Sequence, residues 1–128
     1  MNLLLDTHAF LWWITDSPRL SATARTAIAD AENSVFVSAA SGMEIAIKAA
    51  LGKLELPKAA GAFVEEHLAR NSFTALAVEM RHSLGVFDLP LLHRDPFDRL
   101  IVAQAKAERL TIVSADALIS RYDIDIIW

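Results

Sequence analysis

The chain has 128 residues, enough for one domain with a buried core and too few for two. Its residues are 54% hydrophobic, yet no apolar run approaches the roughly 20 residues that a membrane-spanning helix needs. The net charge is -4, and the lack of cysteine excludes disulfides, thiolate zinc sites and cysteine nucleophiles. The start has neither the basic segment nor the apolar core of a secretory signal. We therefore expect a single cytoplasmic domain over residues 1–128, with no membrane partner.

Short apolar runs alternate with longer amphipathic segments along the chain, a pattern typical of α/β folds. The run Leu3–Leu5 is uniformly apolar and predicts a strand buried on both faces of a parallel sheet. In chain order the patterns predict strands at 3–5, 35–37, 73–78, 111–113 and 125–127, and helices at about 7–14, 21–31, 38–51, 58–70, 79–86, 95–109 and 115–122. We therefore expect a three-layer α/β/α sandwich with a mainly parallel central sheet.

Two of the predicted helices have recognisable N-terminal caps. Asp95 is typical of an N-cap, because a proline follows it and Asp98 comes as the third helical residue. The helix that carries Glu44 can be capped by either Ser38 or Ser41. These caps put both acids near helix starts.

Four acidic residues are candidates for one site at the edge of the sheet. Asp6 follows the first predicted strand and Asp116 lies just past the fourth, so they share an edge if these strands are neighbours. Asp98 lies in line with the apolar, core-facing row of its helix, and Glu44 is embedded in a helix of alanine, isoleucine and methionine. Each acid also has a structural alternative, because strand-end turns, helix caps and i,i+4 ion pairs all use acids.

Carboxylates brought together in this way need a positive partner. Two like charges about 4 Å apart repel by roughly 4 kcal/mol at an effective dielectric of about 20. An all-oxygen ligand set suits Mg²⁺ or Mn²⁺, which can activate water and stabilise the charge on a phosphate under attack. The four acids also account for the whole net charge of -4, so the remaining surface does not repel RNA. The acids therefore predict a metal-dependent nuclease site.

Other side chains narrow the chemistry further. Arg99, Lys48 and Arg94 are candidates for positioning a substrate phosphate, although each can be an ordinary surface charge. The four histidines show no HxH or HExxH spacing, which argues against zinc. Neither a GxSxG nucleophile elbow nor a glycine-rich phosphate loop occurs.

Four stretches that together span nearly the whole chain carry a resemblance to a known family. In order, they read LLLDTHAFLWW, SAASGMEIAIKAALGKLELP, HRDPFDRLIVAQA and LTIVSADALISRYDIDIIW. In these stretches the chain resembles the PIN-domain ribonucleases, especially the VapC-type toxins of bacterial toxin-antitoxin pairs. One departure is Met43, which stands where many close relatives have tryptophan before the glutamate. This difference leaves the carboxylate of Glu44 intact and concerns only the packing of the side chain before it.

The resemblance implies a PIN-like fold and an endoribonuclease that hydrolyses RNA phosphodiester bonds with Mg²⁺ or Mn²⁺. It implies a toxin that inhibits translation or growth, forms a homodimer and is inhibited by a cognate antitoxin protein. The family's acidic pocket falls on Asp6, Glu44, Asp98 and Asp116, with Ser114 helping to hold the metal or its water.

Two other functions remain open on the residues. A phosphotransfer domain that forms an aspartyl phosphate would need a second aspartate two residues after Asp6, where His8 stands, or an acid pair after the first strand. An α/β module that binds RNA or protein without catalysis would keep the acids for structure. Uptake of Mg²⁺ or Mn²⁺ separates this last function from a nuclease.

Overall fold

A computed structural model describes residues 1–128 and contains one five-stranded sheet in which every neighbouring pair of strands is parallel. The strands are β1 (Asn2–Leu5), β2 (Ser34–Ser38), β3 (Thr74–Leu76), β4 (Thr111–Val113) and β5 (Ile126–Ile127). Their order across the sheet is β3-β2-β1-β4-β5. The predicted α/β fold with a parallel central sheet is confirmed.

Six helices connect the strands and cover the sheet. They are α1 (Thr7–Ile14), α2 (Ala22–Ala29), α3 (Ala39–Ala50), α4 (Ala60–Asn71), α5 (Met80–Gly85) and α6 (Pro96–Glu108). Side-chain oxygens of Asp6, Ser21, Ser38 and Asp95 accept hydrogen bonds from first-turn amides and so fix four of the helix starts. None of the six has the length and apolar character that a membrane span requires.

The central strand β1 divides the core into two layers. Leu3 and Leu5 point to one face of the sheet, where they pack with Phe10 of α1 and with apolar residues of α2. Leu4 points to the other face and packs with Ile101 and its apolar neighbours on α6. All three leucines are fully buried, so β1 is fixed on both faces.

The predicted helix over 115–122 is wrong, because only a short 3-10 turn forms there, at Ile119–Arg121. The Asp116 carboxylate accepts from the Leu118 N–H at 2.8 Å, as a helix cap does. The backbone bonds that follow run from Arg121 N–H to the Leu118 carbonyl and from Tyr122 N–H to the Ile119 carbonyl, the i+3 pattern of a 3-10 turn, and no α-helix continues from it. Elsewhere the boundaries move by a few residues: the strand predicted at 73–78 is Thr74–Leu76, and the helix predicted at 58–70 is Ala60–Asn71.

Candidate active site

The candidate site lies at the carboxyl ends of β1 and β4. These strands are neighbours, and β2 pairs with β1 on its other side, so the chain leaves β1 where the strand order reverses. Such a switch point opens a crevice beyond the strand ends in parallel sheets. Asp6 immediately follows β1, and its N–H donates to the Val113 carbonyl of β4 at 3.1 Å.

Asp6 is held by a hydrogen bond to each of its carboxylate oxygens. Oδ1 accepts from the Ala9 N–H at 2.7 Å as the cap of α1, and Oδ2 accepts from the Ser114 hydroxyl at 2.5 Å. Asp6 is only 5% exposed. Burial raises the pKa of Asp6 above its ordinary value, although both hydrogen bonds lower it.

Glu44 reaches the same region from α3 and is 6% exposed. The Thr7 hydroxyl donates to Oε1 at 2.7 Å, and Lys48 Nζ donates to Oε2 at 2.6 Å. Since the Thr7 hydroxyl has one proton, it accepts from the Ser41 hydroxyl, which lies 2.9 Å away. Thr7 was not among the predicted site residues, and the only sequence signal for it is its place directly after Asp6.

Asp98 is the third residue of α6, as the sequence predicts, and its N–H donates to the cap oxygen of Asp95 at 3.1 Å. The pKa of its carboxyl group is raised to about 7. Burial is the largest cause, followed by the negative charges of Asp95, Asp116, Asp6 and Glu44. Asp98 therefore lies close enough to the other three predicted acids for their charges to act on it.

Ser114 connects two parts of this site. Its hydroxyl donates to Asp6 and accepts from the Asp116 N–H at 3.0 Å. Asp116 is half-buried, and its Oδ1 also accepts from the Leu118 N–H. The structure thus brings together the four predicted acids and Ser114. We call the group of four acids, Asp6, Glu44, Asp98 and Asp116, the acidic cleft.

Two of the three predicted phosphate-binding residues lie beside the acidic cleft. Glu44, Lys48 and Arg94 line a cavity of about 360 Å³, in which Lys48 is ion-paired with Glu44 and Arg94 is exposed. Both cations therefore face solvent next to the acids.

Arg99 is placed differently, since it is only 8% exposed. Nη1 donates to the Pro90 carbonyl and the Tyr122 hydroxyl, and Nη2 donates to the Val86 carbonyl. A guanidinium that is buried and bonded in this way cannot reach a substrate phosphate. Arg99 therefore anchors the segment before α6, and the prediction that it positions phosphate is not supported.

The acidic cleft suits a hard divalent cation. Lys48 is the only lysine or arginine within ion-pair distance of any of the four acids, so the site holds more negative than positive charge. Its donors are carboxylate and hydroxyl oxygens, the ligands that Mg²⁺ and Mn²⁺ prefer.

A second group of possible metal ligands lies elsewhere and is more tightly spaced. Its histidine and carboxylate ligand atoms all lie within 4.8 Å of one another. Arg81 donates to both of its glutamates, and the His82 ring is paired with Glu108 at 2.8 Å. Its carboxylates therefore already have a cation, Arg81, and a ring nitrogen of His82 as partners. We call this group, Glu79, Arg81, His82 and Glu108, the paired cluster.

The parallel sheet, with acids at the carboxyl ends of β1 and β4, places the chain in the α/β class that the sequence predicted. The PIN domain family model matches residues 3–125, and the chain belongs to this family. Over 70 residues the chain is 39% identical to Ribonuclease VapC16 of Mycobacterium tuberculosis, an alignment that covers 52% of this chain and 50% of the relative. The chain thus aligns with about half the length of this curated relative.

Solved structures support the same fold over nearly the whole chain. VapBC2 from Rickettsia felis, bound to a DNA fragment from their promoter, matches with a TM-score of 0.71 and 16% identity, covering 98% of this chain and 97% of the other. FitAcB from Neisseria gonorrhoeae matches with a TM-score of 0.67 and 18% identity, covering 97% and 95%. At these identities the likeness shows the fold alone. The predicted PIN-like fold and the family resemblance are confirmed.

Proposed function

We propose that this chain is an endoribonuclease that uses a divalent metal ion, Mg²⁺ or Mn²⁺, held by the acidic cleft. The observation that carries the proposal is the meeting of four carboxylates at one edge of the sheet, with Asp6 and Glu44 buried and Lys48 as their one paired lysine. A buried excess of negative charge is costly unless a cation offsets it. Membership of the PIN domain family supports the same chemistry.

The bound ion would supply the activation of water and the stabilisation of charge on the phosphate. The chain's own residues orient the ligands beforehand. Ser114 and the Ala9 amide hold Asp6, and Thr7 and Lys48 hold Glu44. Such hydrogen bonds to metal-binding carboxylates reduce the cost of ordering them when the ion binds.

RNA is the proposed substrate because the curated relative is named a ribonuclease. Lys48 and Arg94 are the proposed phosphate contacts, since they share a cavity wall with Glu44. Their charges would attract the RNA backbone toward a cleft that is otherwise acidic.

A protein antitoxin is the proposed partner, in keeping with the resemblance to VapC-type toxins, and the chain would then be a toxin that inhibits translation or growth. A groove of about 650 Å³ starts at Thr7 and Lys48, beside the acidic cleft, and has apolar walls. A partner segment in this groove would adjoin the acids and could block substrate. The apolar wall of the groove includes Leu11, Trp12, Leu54, Leu56 and Phe63.

The homodimer and the cytoplasmic location that the sequence indicates stay predictions.

The proposed function is tested by Asp6→Asn, compared with Asp16→Asn as a matched control. Asparagine keeps the oxygen that caps α1, so the fold should survive, while the charge on the metal ligand is lost. Asp16 is exposed and paired with Arg25, and it is not part of the acidic cleft. We expect D6N to lose Mg²⁺-dependent cleavage on the order of 1,000-fold or more, as when one member of a catalytic group is removed.

The measurement is cleavage of labelled RNA by the purified chain in Mg²⁺ and in chelator, with circular dichroism as the check on folding. D16N should cleave at the wild-type rate. Wild-type cleavage by folded D6N would contradict the proposal.

A further inference from the structure

Beside the acidic cleft lies a buried side-chain nitrogen without a hydrogen-bond partner. It is Nε2 of His93, in the loop before α6. The His93 side chain is 7% exposed, and this nitrogen lies 3.5 Å from Oδ2 of Asp98. Buried polar atoms are nearly always paired, so an unpaired one next to a proposed metal ligand needs an explanation.

The opposite ring nitrogen determines where the His93 proton lies. Nδ1 is 2.8 Å from the Tyr122 hydroxyl, and Arg99 Nη1 donates to the same hydroxyl at 3.0 Å. A guanidinium can only donate, so the tyrosine oxygen accepts from Arg99, and since His93 Nδ1 is the acceptor within hydrogen-bond distance of this hydroxyl, we assign the tyrosine proton to that bond. With Nδ1 accepting, the ring proton lies on Nε2, the nitrogen that faces Asp98.

The groups behind His93 are rigidly held. Tyr122 is buried, and its ring meets the His93 ring edge-on with centroids 5.5 Å apart. The Arg99 guanidinium is fixed by the carbonyls of Pro90 and Val86. The donor on Nε2 is therefore directed at Asp98 by a buried chain of hydrogen bonds.

We propose that His93 is a positioning residue that holds Oδ2 of Asp98 through its Nε2–H and leaves the other carboxylate oxygen for the metal. This inference rests on the proposed function, because it takes Asp98 as a metal ligand. An ordinary N–H···O bond spans about 2.9 Å, so a movement of about half an ångström completes the contact. Outer hydrogen bonds of this kind commonly orient metal-binding side chains.

Two substitutions at His93 separate a hydrogen-bond donor from simple packing. Glutamine can place a side-chain N–H near the position of Nε2, whereas asparagine reaches only the position of Nδ1. We expect H93N to bind Mn²⁺ about tenfold more weakly than the wild type, at the lower end of the range for outer-shell partners. H93Q should stay within about threefold of the wild type.

A third substitution tests the chain of hydrogen bonds without changing His93. Y122F removes the hydroxyl that keeps the proton on Nε2, so we expect weaker Mn²⁺ binding. The measurement is isothermal titration calorimetry of Mn²⁺ into the full chain, with thermal unfolding as the check on folding. Unchanged affinity in Y122F would contradict the proposed path of the proton.

The outcomes separate this inference from the proposed function. Wild-type affinity in H93N, or equal weakening in H93N and H93Q, would overturn the positioning role. Absence of Mn²⁺ binding in the wild type, or wild-type binding by D98N, would instead overturn the metal site itself. Weaker binding in H93N, with recovery in H93Q, would support the positioning role.

Discussion

The acidic cleft and the paired cluster both gather acidic side chains, but they differ in how the charge is balanced. In the acidic cleft, burial and neighbouring carboxylates raise the pKa of Asp98 to about 7. In the paired cluster, His82 and Arg81 hold the pKa of Glu108 below its ordinary value. The four acids of the acidic cleft have one paired lysine, Lys48, whereas both glutamates of the paired cluster are bonded to Arg81.

This difference shows that close spacing alone does not identify a metal site. The ligand atoms of the paired cluster lie within 4.8 Å of one another, yet the Arg81 guanidinium and the His82 ring already bond to its carboxylates. Its contacts join α5, through His82, to the end of α6, through Glu108. We therefore propose that the paired cluster stabilises the fold and that the acidic cleft binds the metal.

The largest stability effect should come from the paired cluster. His82 is fully buried; its Nδ1 accepts from the Glu79 N–H, and its Nε2 pairs with Glu108. H82A should lower the free energy of unfolding by about 3 kcal/mol, because it leaves a cavity and an unpaired amide. Urea unfolding measures this loss.

A control for this prediction is H67A, since the His67 side chain is half-buried on α4. It should cost less than about 1 kcal/mol. Folded H82A should keep wild-type RNA cleavage. A large loss of cleavage in the folded variant would link the paired cluster to catalysis, which would contradict its assignment to stability alone.

A smaller effect, of pH on stability, should have opposite signs in the two groups. The folded-state pKa of Asp98 lies above its unfolded value, so the metal-free folded protein binds more protons between about pH 4 and pH 7. Its stability should therefore fall as the pH rises through this window. D98N should show a smaller fall when thermal unfolding is followed in chelator.

Glu108 supplies the matched control for this pH dependence. Because its folded-state pKa is lowered, its stabilising contribution is present above its unfolded pKa and is lost as the pH falls through the folded value. E108Q should thus leave the slope between pH 5 and pH 7 unchanged and flatten the acid side. The same slope in D98N and the wild type would contradict the charge imbalance at Asp98.

The sequence predicted those features that depend on local pattern. The buried run of β1 ends at Asp6, and the Asp95 cap with its following proline fixes Asp98 in the first turn of α6. The strand positions follow from apolar runs and turns in the same way. The helix predicted at 115–122 forms only as a 3-10 turn at Ile119–Arg121, a difference that the pattern of residue types does not reveal.

Features that depend on distant contacts could not be predicted. Ser114 donates to Asp6 across 108 residues of sequence, and the resemblance alone pointed to it. Arg99 looked like a surface charge, but its guanidinium is buried against Tyr122, 23 residues away. The positioning role that we propose for His93 likewise depends on Tyr122 and Asp98, which flank its ring only in the folded chain.

The most direct test of the central claim is the thermal unfolding of three proteins with and without Mg²⁺ near pH 7.5. A ligand at about 100 times its Kd stabilises the folded state by roughly 2.7 kcal/mol, so the wild-type Tm should rise by several degrees. E79Q, altered in the paired cluster, should rise by the same amount, and D98N should rise little. No rise in the wild type, or a rise that persists in D98N and disappears in E79Q, would contradict the assignment of the metal to the acidic cleft.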